Sequence, residues 1–341
     1  MGGTRKSERL DQLIEDAETA KRCIVGASEN DATCLRRAVA AGKLISPFPR
    51  LYVRLEYWEK LKRPEQGLHM LRGLQHLHPD WVFAGVSAAL AHGLSVSYSM
   101  LTPVCVATSY KTHSRNQKGV FRIVVEDEEI TTVSGVRATT LEQTVFDCLR
   151  ILDFPLGLAV ADSALRVAHK PRDWLIDKLM GMPQGCKGRD HALATAMMAD
   201  ARAGSGGESI ARARMLLLGY EPPDLQVKVQ NKVEGGNYYG DFGWRMPDGT
   251  LLIGELDGHD KYTDPEMTDG KSVLEVMADE RLRESRVSAG QVTVMRFSYK
   301  DMTKDARFRL ILDTYGLPRA TCQHYHDKGK RFVPSLEGTA F

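Results

Sequence analysis

Residues Tyr238-Tyr239-Gly240-Asp241-Phe242-Gly243-Trp244-Arg245-Met246, then Pro247-Asp248-Gly249, then Thr250-Leu251-Leu252-Ile253-Gly254-Glu255-Leu256-Asp257-Gly258-His259 read as a β-hairpin. Pro-Asp-Gly suits a three-residue loop, a type I turn closed by a left-handed glycine. Met246 then pairs with Thr250, and counting back along both strands sets Asp241 opposite Glu255. Directly opposed side chains have Cβ atoms roughly 5 Å apart, where like charges destabilise a sheet. Alternation places Asp257 on the face of Glu255, a third negative group. A divalent cation is the simplest compensation, because Mg2+ or Mn2+ takes carboxylate oxygens and activates water. Strands disfavour acidic residues, and the apolar neighbours Phe242, Trp244, Ile253 and Leu256 imply partial burial, so Asp241 and Glu255 read as functional. Asp257-Gly258 reads equally well as a turn that closes the strand.

The bulk numbers set outer limits. A chain of 341 residues accommodates two or three domains, each with its own core. Its 43% hydrophobic and 26% charged content is that of a soluble globular protein. A formal charge of +2 is too small to point to nucleic acid, so any polyanion contact must come from local patches. The six cysteines show no CxxC pair and no regular spacing, which disfavours a zinc ribbon or a disulfide framework and favours reduced cytosolic thiols. The longest apolar run, Trp81 to Leu94, is too short to span a bilayer and contains His92. A cytoplasmic protein without membrane contact is expected. No GxxxxGK[ST] loop and no strand-linked GxGxxG occurs, so no nucleotide cofactor is expected.

Along the chain the pattern is α/β, α+β overall, and divides at 1–63, 64–203, 204–320 and a tail from 321 to 341. In the first part Leu10, Leu13 and Ile14 form an apolar stripe, and Asn30 or Asp31 caps a helix from about Ala32 to Ala41 that Gly42 ends. Lys43-Leu44-Ile45 and Leu51-Tyr52-Val53 flank the breaker run Ser46 to Arg50 as two strands of a wing. This order is similar to a winged helix-turn-helix, which would present Arg36 and Arg37, with Lys43 and Arg50, to double-stranded DNA. A small helical domain with a solvated basic face accounts for the same periodicity.

In the second part Trp81 to Leu94 reads as an apolar helix, and Thr102 to Thr108 and Val120 to Val125 as strands. The polar run Lys111 to Lys118 between those strands reads as a solvated hairpin tip, or as a contact to a phosphate backbone, and Thr139 to Gln143 as a capping-box helix start. Arg172 to Ala203 is helical with a break at Lys187-Gly188-Arg189, and Gly204 to Gly207 marks the next boundary. In the tail, Cys322, His324 and His326 lack a fourth ligand nearby and read as surface residues.

Two stretches carry a family resemblance. Ala41 to Val53, Gly135 to Asp147 and Val160 to Arg166 resemble the AbiEi-type antitoxin regulators of type IV toxin–antitoxin systems. From Ser205 to about Asp301 the chain resembles very-short-patch-repair and PD-(D/E)xK nucleases, on Asp241-Phe242-Gly243-Trp244, Glu255-Leu256-Asp257-Gly258 and Thr293 to Phe297. That resemblance implies a restriction-endonuclease-like αβββαβ core in which Glu208, Asp241 and Glu255 surround one metal. Asp257 stands where the group carries lysine, so a lysine-assisted reaction is not implied. It further implies His259 as general base, with Lys261 as an alternative, and Arg281 as a phosphate contact. Ser205-x-x-Glu208 also matches a capping box, and Asp279 with Arg283 an i,i+4 pair on a helix from Ser272 to Ala289.

Two functions follow as expectations. One is Mg2+-dependent cleavage of DNA phosphodiesters. The other is a non-catalytic antitoxin-like repressor, with a toxin partner encoded nearby.

Overall fold

The structure, a computed structural model, describes residues 2–109, 118–125, 129–230, 236–257 and 292–320. It is a mixed α/β protein with small sheets. The chain divides into two compact units, Met1–Cys148 and Leu149–Phe341.

In the first unit α1 (Gly2–Thr19) and α2 (Glu29–Ala40) close on a core of Ala17, Ile24, Leu35, Ala38, Leu44 and Tyr52, joined by Leu10, Leu13 and Ile14. The cap of α2 is Ser28, whose hydroxyl accepts from the Asp31 N–H at 3.1 Å, so the helix starts earlier than Ala32. Asp31 is buried, and Arg9 holds its two oxygens at 3.0 and 3.1 Å. Asn30 and Asp31 therefore lie inside the first turn. β1 (Ile45–Phe48) and β2 (Leu51–Val53) form the antiparallel wing. Ile24, between the helices, bridges to Tyr52, so the connection extends the wing where a helix-turn-helix has a turn of three or four residues.

Phe48 and Leu51 of the wing, with Cys23 and Val25, share a core with Met70 and Leu74 of α4 (Arg63–Leu77), Phe83 and Val106. That shared core carries the unit past residue 63. α3 (Leu55–Lys60) joins the wing to α4. The helix predicted from Trp81 to Leu94 is shorter, α5 (Gly85–Ala91). Phe83 is extended instead, bridging Val106 of β3 (Val104–Thr108) and Ala138 of β6 (Val136–Thr139). Its N–H donates to the Arg137 carbonyl at 2.9 Å, bonds that a helix would have to give up. β3 runs parallel to β4 (Val120–Val124), so the polar segment between them does not close a hairpin. Residues 110–117 lie outside the described residues. β5 (Ile130–Val133) pairs antiparallel with β6, and α6 (Leu141–Ile151) follows, with Thr140 accepting from the Gln143 N–H at 3.4 Å.

The second unit is built on α7 (Phe154–Ala168), which is apolar around most of its circumference and accordingly buried along most of its length. α8 (Arg172–Met180) and α9 (Arg189–Met197) follow, separated by a break in which Gly188 has φ +87°. Phe154 and Leu158 of α7 pack on Ala213 and Leu216 of α10 (Gly206–Leu217). Asp162 of α7 and Arg212 of α10 form a buried ion pair at 2.9 Å. These contacts bind the segments on either side of Gly204.

After α10 come β7 (Asp224–Gln230), β8 (Asn237–Arg245), β9 (Leu251–Asp257) and β10 (Val292–Ser298), in the spatial order β10-β9-β8-β7. β7, β8 and β9 are antiparallel neighbours, whereas β10 lies parallel to β9. Phe242, Trp244, Leu252, Met295 and Phe297 turn one face of the sheet toward Met215 of α10 and toward Phe308 and Leu312 of α12 (Asp305–Thr314). The short α11 (Tyr299–Met302) joins β10 to α12. Tyr238 and Ile253 with Val227, Val229 and Val294 form a smaller apolar cluster. Among the described residues no helix is long and apolar enough to cross a membrane.

Candidate active site

The turn at Pro247-Asp248-Gly249 fixes the strand register. Met246 donates its N–H to the Thr250 carbonyl at 2.8 Å, and Gly249 donates to Met246 at 2.9 Å with φ +85°. Arg245 then pairs with Leu251, and so on up to Phe242 with Gly254. The next residues in that register are Asp241 and Glu255, as the hairpin count requires.

Regular alternation slips at this point. A Cβ on Gly240 would meet Ile253, and a Cβ on Gly243 would meet Val227, both members of the Tyr238–Ile253 cluster. Residues three apart on a regular strand face opposite sides, so β8 turns its faces over around Asp241, while its pairing with β7 keeps one register on either side, Val227↔Gly240 and Leu225↔Phe242. On β7 the facing position in register is Gln226, a non-glycine residue at φ +52°. Such a backbone costs of order 1 kcal/mol or more and is held only by its surroundings. Here it directs the Gln226 amide toward Glu208 Oε2, at 3.2 Å.

Glu208 sits in the first turn of α10, buried, below the Ser205 cap. Its N–H donates to Ser205 Oγ at 3.2 Å, and its Oε2 accepts from the Gly204 N–H at 2.7 Å. The Ser205 half of the expected capping box is made, while the Glu208 carboxylate takes the N–H of Gly204, one residue before the cap, and not that of Ser205. A second influence acts on the same carboxyl: burial raises its pKa above the ordinary value, and the negative charge of Asp241 raises it further. Glu208 and Asp241 therefore feel each other's charge. Asp241 Oδ2 accepts from the Leu256 N–H at 3.0 Å, which ties it to the strand end that bears Glu255 and Asp257.

Those two carboxylates meet a cation from the neighbouring strand. Parallel pairing sets Arg296 of β10 beside Glu255, with Nη2 at 3.3 Å from Glu255 Oε2 and Nη1 at 3.3 Å from Asp257 Oδ1. The side chains are 25%, 17% and 38% exposed for Arg296, Glu255 and Asp257, so the site opens to solvent at the Asp257 end.

The donor chemistry suits a hard divalent cation. Among the described residues no group of three or more His, Cys, Asp or Glu side chains is gathered to hold a metal ion. Mg2+ does not need such a cage, since it is commonly held by one or two carboxylates with water and substrate phosphate oxygens completing the shell. Asp241 and Glu255 fit that requirement.

His259, Lys261 and Arg281 lie outside the described residues, as do the expected helix from Ser272 to Ala289 and the tail with Cys322, His324 and His326. The other basic residues singled out for DNA, Arg36, Arg37, Lys43 and Arg50, are exposed on α2 and the wing in the first unit. Arg36 contacts Glu29 at 2.8 Å and Thr33 at 3.0 Å, in a solvent-screened pair that a phosphate can displace. The sequence reading assigned no role to Arg296 or Gln226. Arg296 carried a signal as the one charge in an apolar closing strand, but its neighbour depends on parallel pairing. No family model, curated protein or solved structure matches this chain.

Proposed function

We propose that the second unit is a divalent-metal-dependent DNA phosphodiesterase whose metal ligands are Asp241 and Glu255, and that α2 with the wing carries it to double-stranded DNA. The observation that supports this most is the bond from the Leu256 N–H that ties Asp241 to the strand end bearing Glu255, with buried Glu208 within reach of the Asp241 charge. The order of α10, three antiparallel strands and a parallel β10 is compatible with a restriction-endonuclease-like core. Mg2+ or Mn2+, when bound, supplies a polarised phosphoryl oxygen and an acidified water. Asp241 and Glu255 would hold it, Glu208 would orient the shell from behind, and His259 or Lys261 would take the proton from water. The thiols Cys23 and Cys105, pushed up to about 12 and about 11 by burial, are core groups without nucleophilic character.

Supercoiled plasmid incubated with Mg2+ or Mn2+ tests this reading. Wild type should nick it, and D241A and E255Q should slow nicking at least a hundredfold. Cutting that ignores the metal, or that both variants retain, overturns it. On the DNA-binding side, R36A and R37A should each weaken duplex binding and lower the salt slope by about one. Binding unchanged in both removes α2 from the interface.

A second reading has its own support. Asp257 stands where the resembled nucleases carry lysine, and Arg296 already pairs with both Glu255 and Asp257, offsetting one of their two charges. Both features suit a non-catalytic, antitoxin-like repressor that keeps the nuclease architecture and pairs with a toxin. Sequence-specific binding to its own promoter without any metal-dependent cutting is the outcome that selects it.

A further inference from the structure

Arg296 lies in the position where a metal on Glu255 has to contend with it. β10 is parallel to β9 and in register Arg296↔Glu255, so the guanidinium stands over the same face as the carboxylate. Its two terminal nitrogens reach different strand positions, Glu255 Oε2 and Asp257 Oδ1, each at 3.3 Å. A guanidinium fork matches two carboxylate oxygens at once, which a lysine ammonium does not do. The pairing is loose, because 3.3 Å exceeds the usual 2.7–2.9 Å of charge-assisted bonds. The contact is partly exposed, so its net strength is modest and a divalent ion can displace it.

We propose that Arg296 is a resident cation that competes with the divalent metal for Glu255 and so sets the metal concentration at which the site fills. This rests on the metal-site reading above. Without metal, Arg296 offsets the repulsion between Glu255 and Asp257. With metal on Glu255, the guanidinium loses that partner and repels the incoming charge, so occupancy by one lowers occupancy by the other. The strand neighbour that makes the acidic edge tolerable in the folded sheet is thereby also what limits cation binding.

Calorimetric titration of the full chain with Mn2+ decides the matter. R296M keeps the aliphatic stem and removes the charge, and should bind Mn2+ about three- to fivefold more tightly than wild type. E255Q should reduce binding in either background. Should wild type show no binding while R296M does, the competition stands and the nuclease reading fails in favour of a closed, non-catalytic site. Equal or weaker binding by R296M, with wild type binding, overturns the competition and leaves the metal site intact. If neither protein takes up Mn2+, both ideas fall. Where R296M does not fold, R296Q, which keeps a polar head beside Glu255, serves instead with the same expected direction.

Discussion

Glu208 shows how one side chain serves a local and a distant purpose. Its backbone and one carboxylate oxygen close the start of α10, and the same carboxyl lies in the field of Asp241. Burial first, and Asp241 second, raise its pKa. A raised acid favours its protonated form in the folded state. The stability it contributes is complete below the ordinary glutamate pKa and is lost as pH rises through the folded value. E208Q keeps an acceptor for the Gly204 N–H and removes the ionisation. The variant should therefore gain stability over wild type as pH rises from 4 to 8, read from urea midpoints. A difference that stays constant over that range would show that Glu208 ionisation is not coupled to folding. Gly240 makes a steric counterpart, since a Cβ there would lie 2.3 Å from Ile253 Cγ2. G240A should cost about 1–3 kcal/mol in chemical unfolding, and less when made in an I253A background, where the Cγ2 it would strike is gone. Full stability of G240A would mean that the strand has room at the slip.

At the scale of elements, the end of β10 turns into α11 through a reciprocal cap. Ser298 donates its N–H to Asp301 Oδ2 at 2.9 Å, and Asp301 donates its N–H to Ser298 Oγ at 3.3 Å. Arg307 adds a contact at 2.5 Å. Hydrogen bonds from Ser298, first backbone and then hydroxyl, lower the Asp301 pKa from 3.8 to about 2. A depressed acid contributes stability above its unfolded value, and that contribution disappears as pH falls through the folded one. D301A should lose about 1 kcal/mol at neutral pH, with the deficit shrinking between pH 4 and 2. A deficit independent of pH would assign the loss to packing instead of the cap.

Element periodicity was readable where local chemistry decides. The Pro247-Asp248-Gly249 turn, its left-handed glycine and the register from Arg245↔Leu251 to Phe242↔Gly254 all follow from residues adjacent in the chain. The helix from Trp81 to Leu94 was not, because the apolar character of Val82 and Phe83 serves equally for an extended bridge between β3 and β6. Likewise the polar run after Thr108 resembles a hairpin tip only if the flanking strands are antiparallel, and they are parallel.

At the scale of the molecule, the two compact units Met1–Cys148 and Leu149–Phe341 each hold together through cores and ion pairs that join distant segments. The Asp162–Arg212 pair is the plainest cause in the second unit. Asp162 also accepts from the Asp200 N–H at 2.7 Å, and Arg212 donates to the Met198 carbonyl at 2.8 Å. Burial pushes the Asp162 carboxyl up, and Arg212 pulls it back. Removing one partner strands a buried charge, so D162N and R212M should each cost about 3–5 kcal/mol, whereas D162L/R212M should cost less than either. A double variant worse than both singles would show that the pair does more than neutralise itself. Because Arg212 and Glu208 lie one turn apart on α10, the single variants should also weaken Mn2+ binding.

The amino-acid sequence alone determined the hairpin, its register and the presence of an acidic edge, because turn chemistry and alternation act between residues a few positions apart. It also placed Glu208 at a helix start by its spacing from Ser205. Tertiary structure decided what meets that edge. Arg296 reaches Glu255 only because β10 lies parallel to β9, Gln226 reaches Glu208 only through its left-handed backbone, and α10 is fixed by a carboxylate fifty residues earlier. Those pairings join residues far apart in the chain, so their partners are set by how whole strands and helices pack.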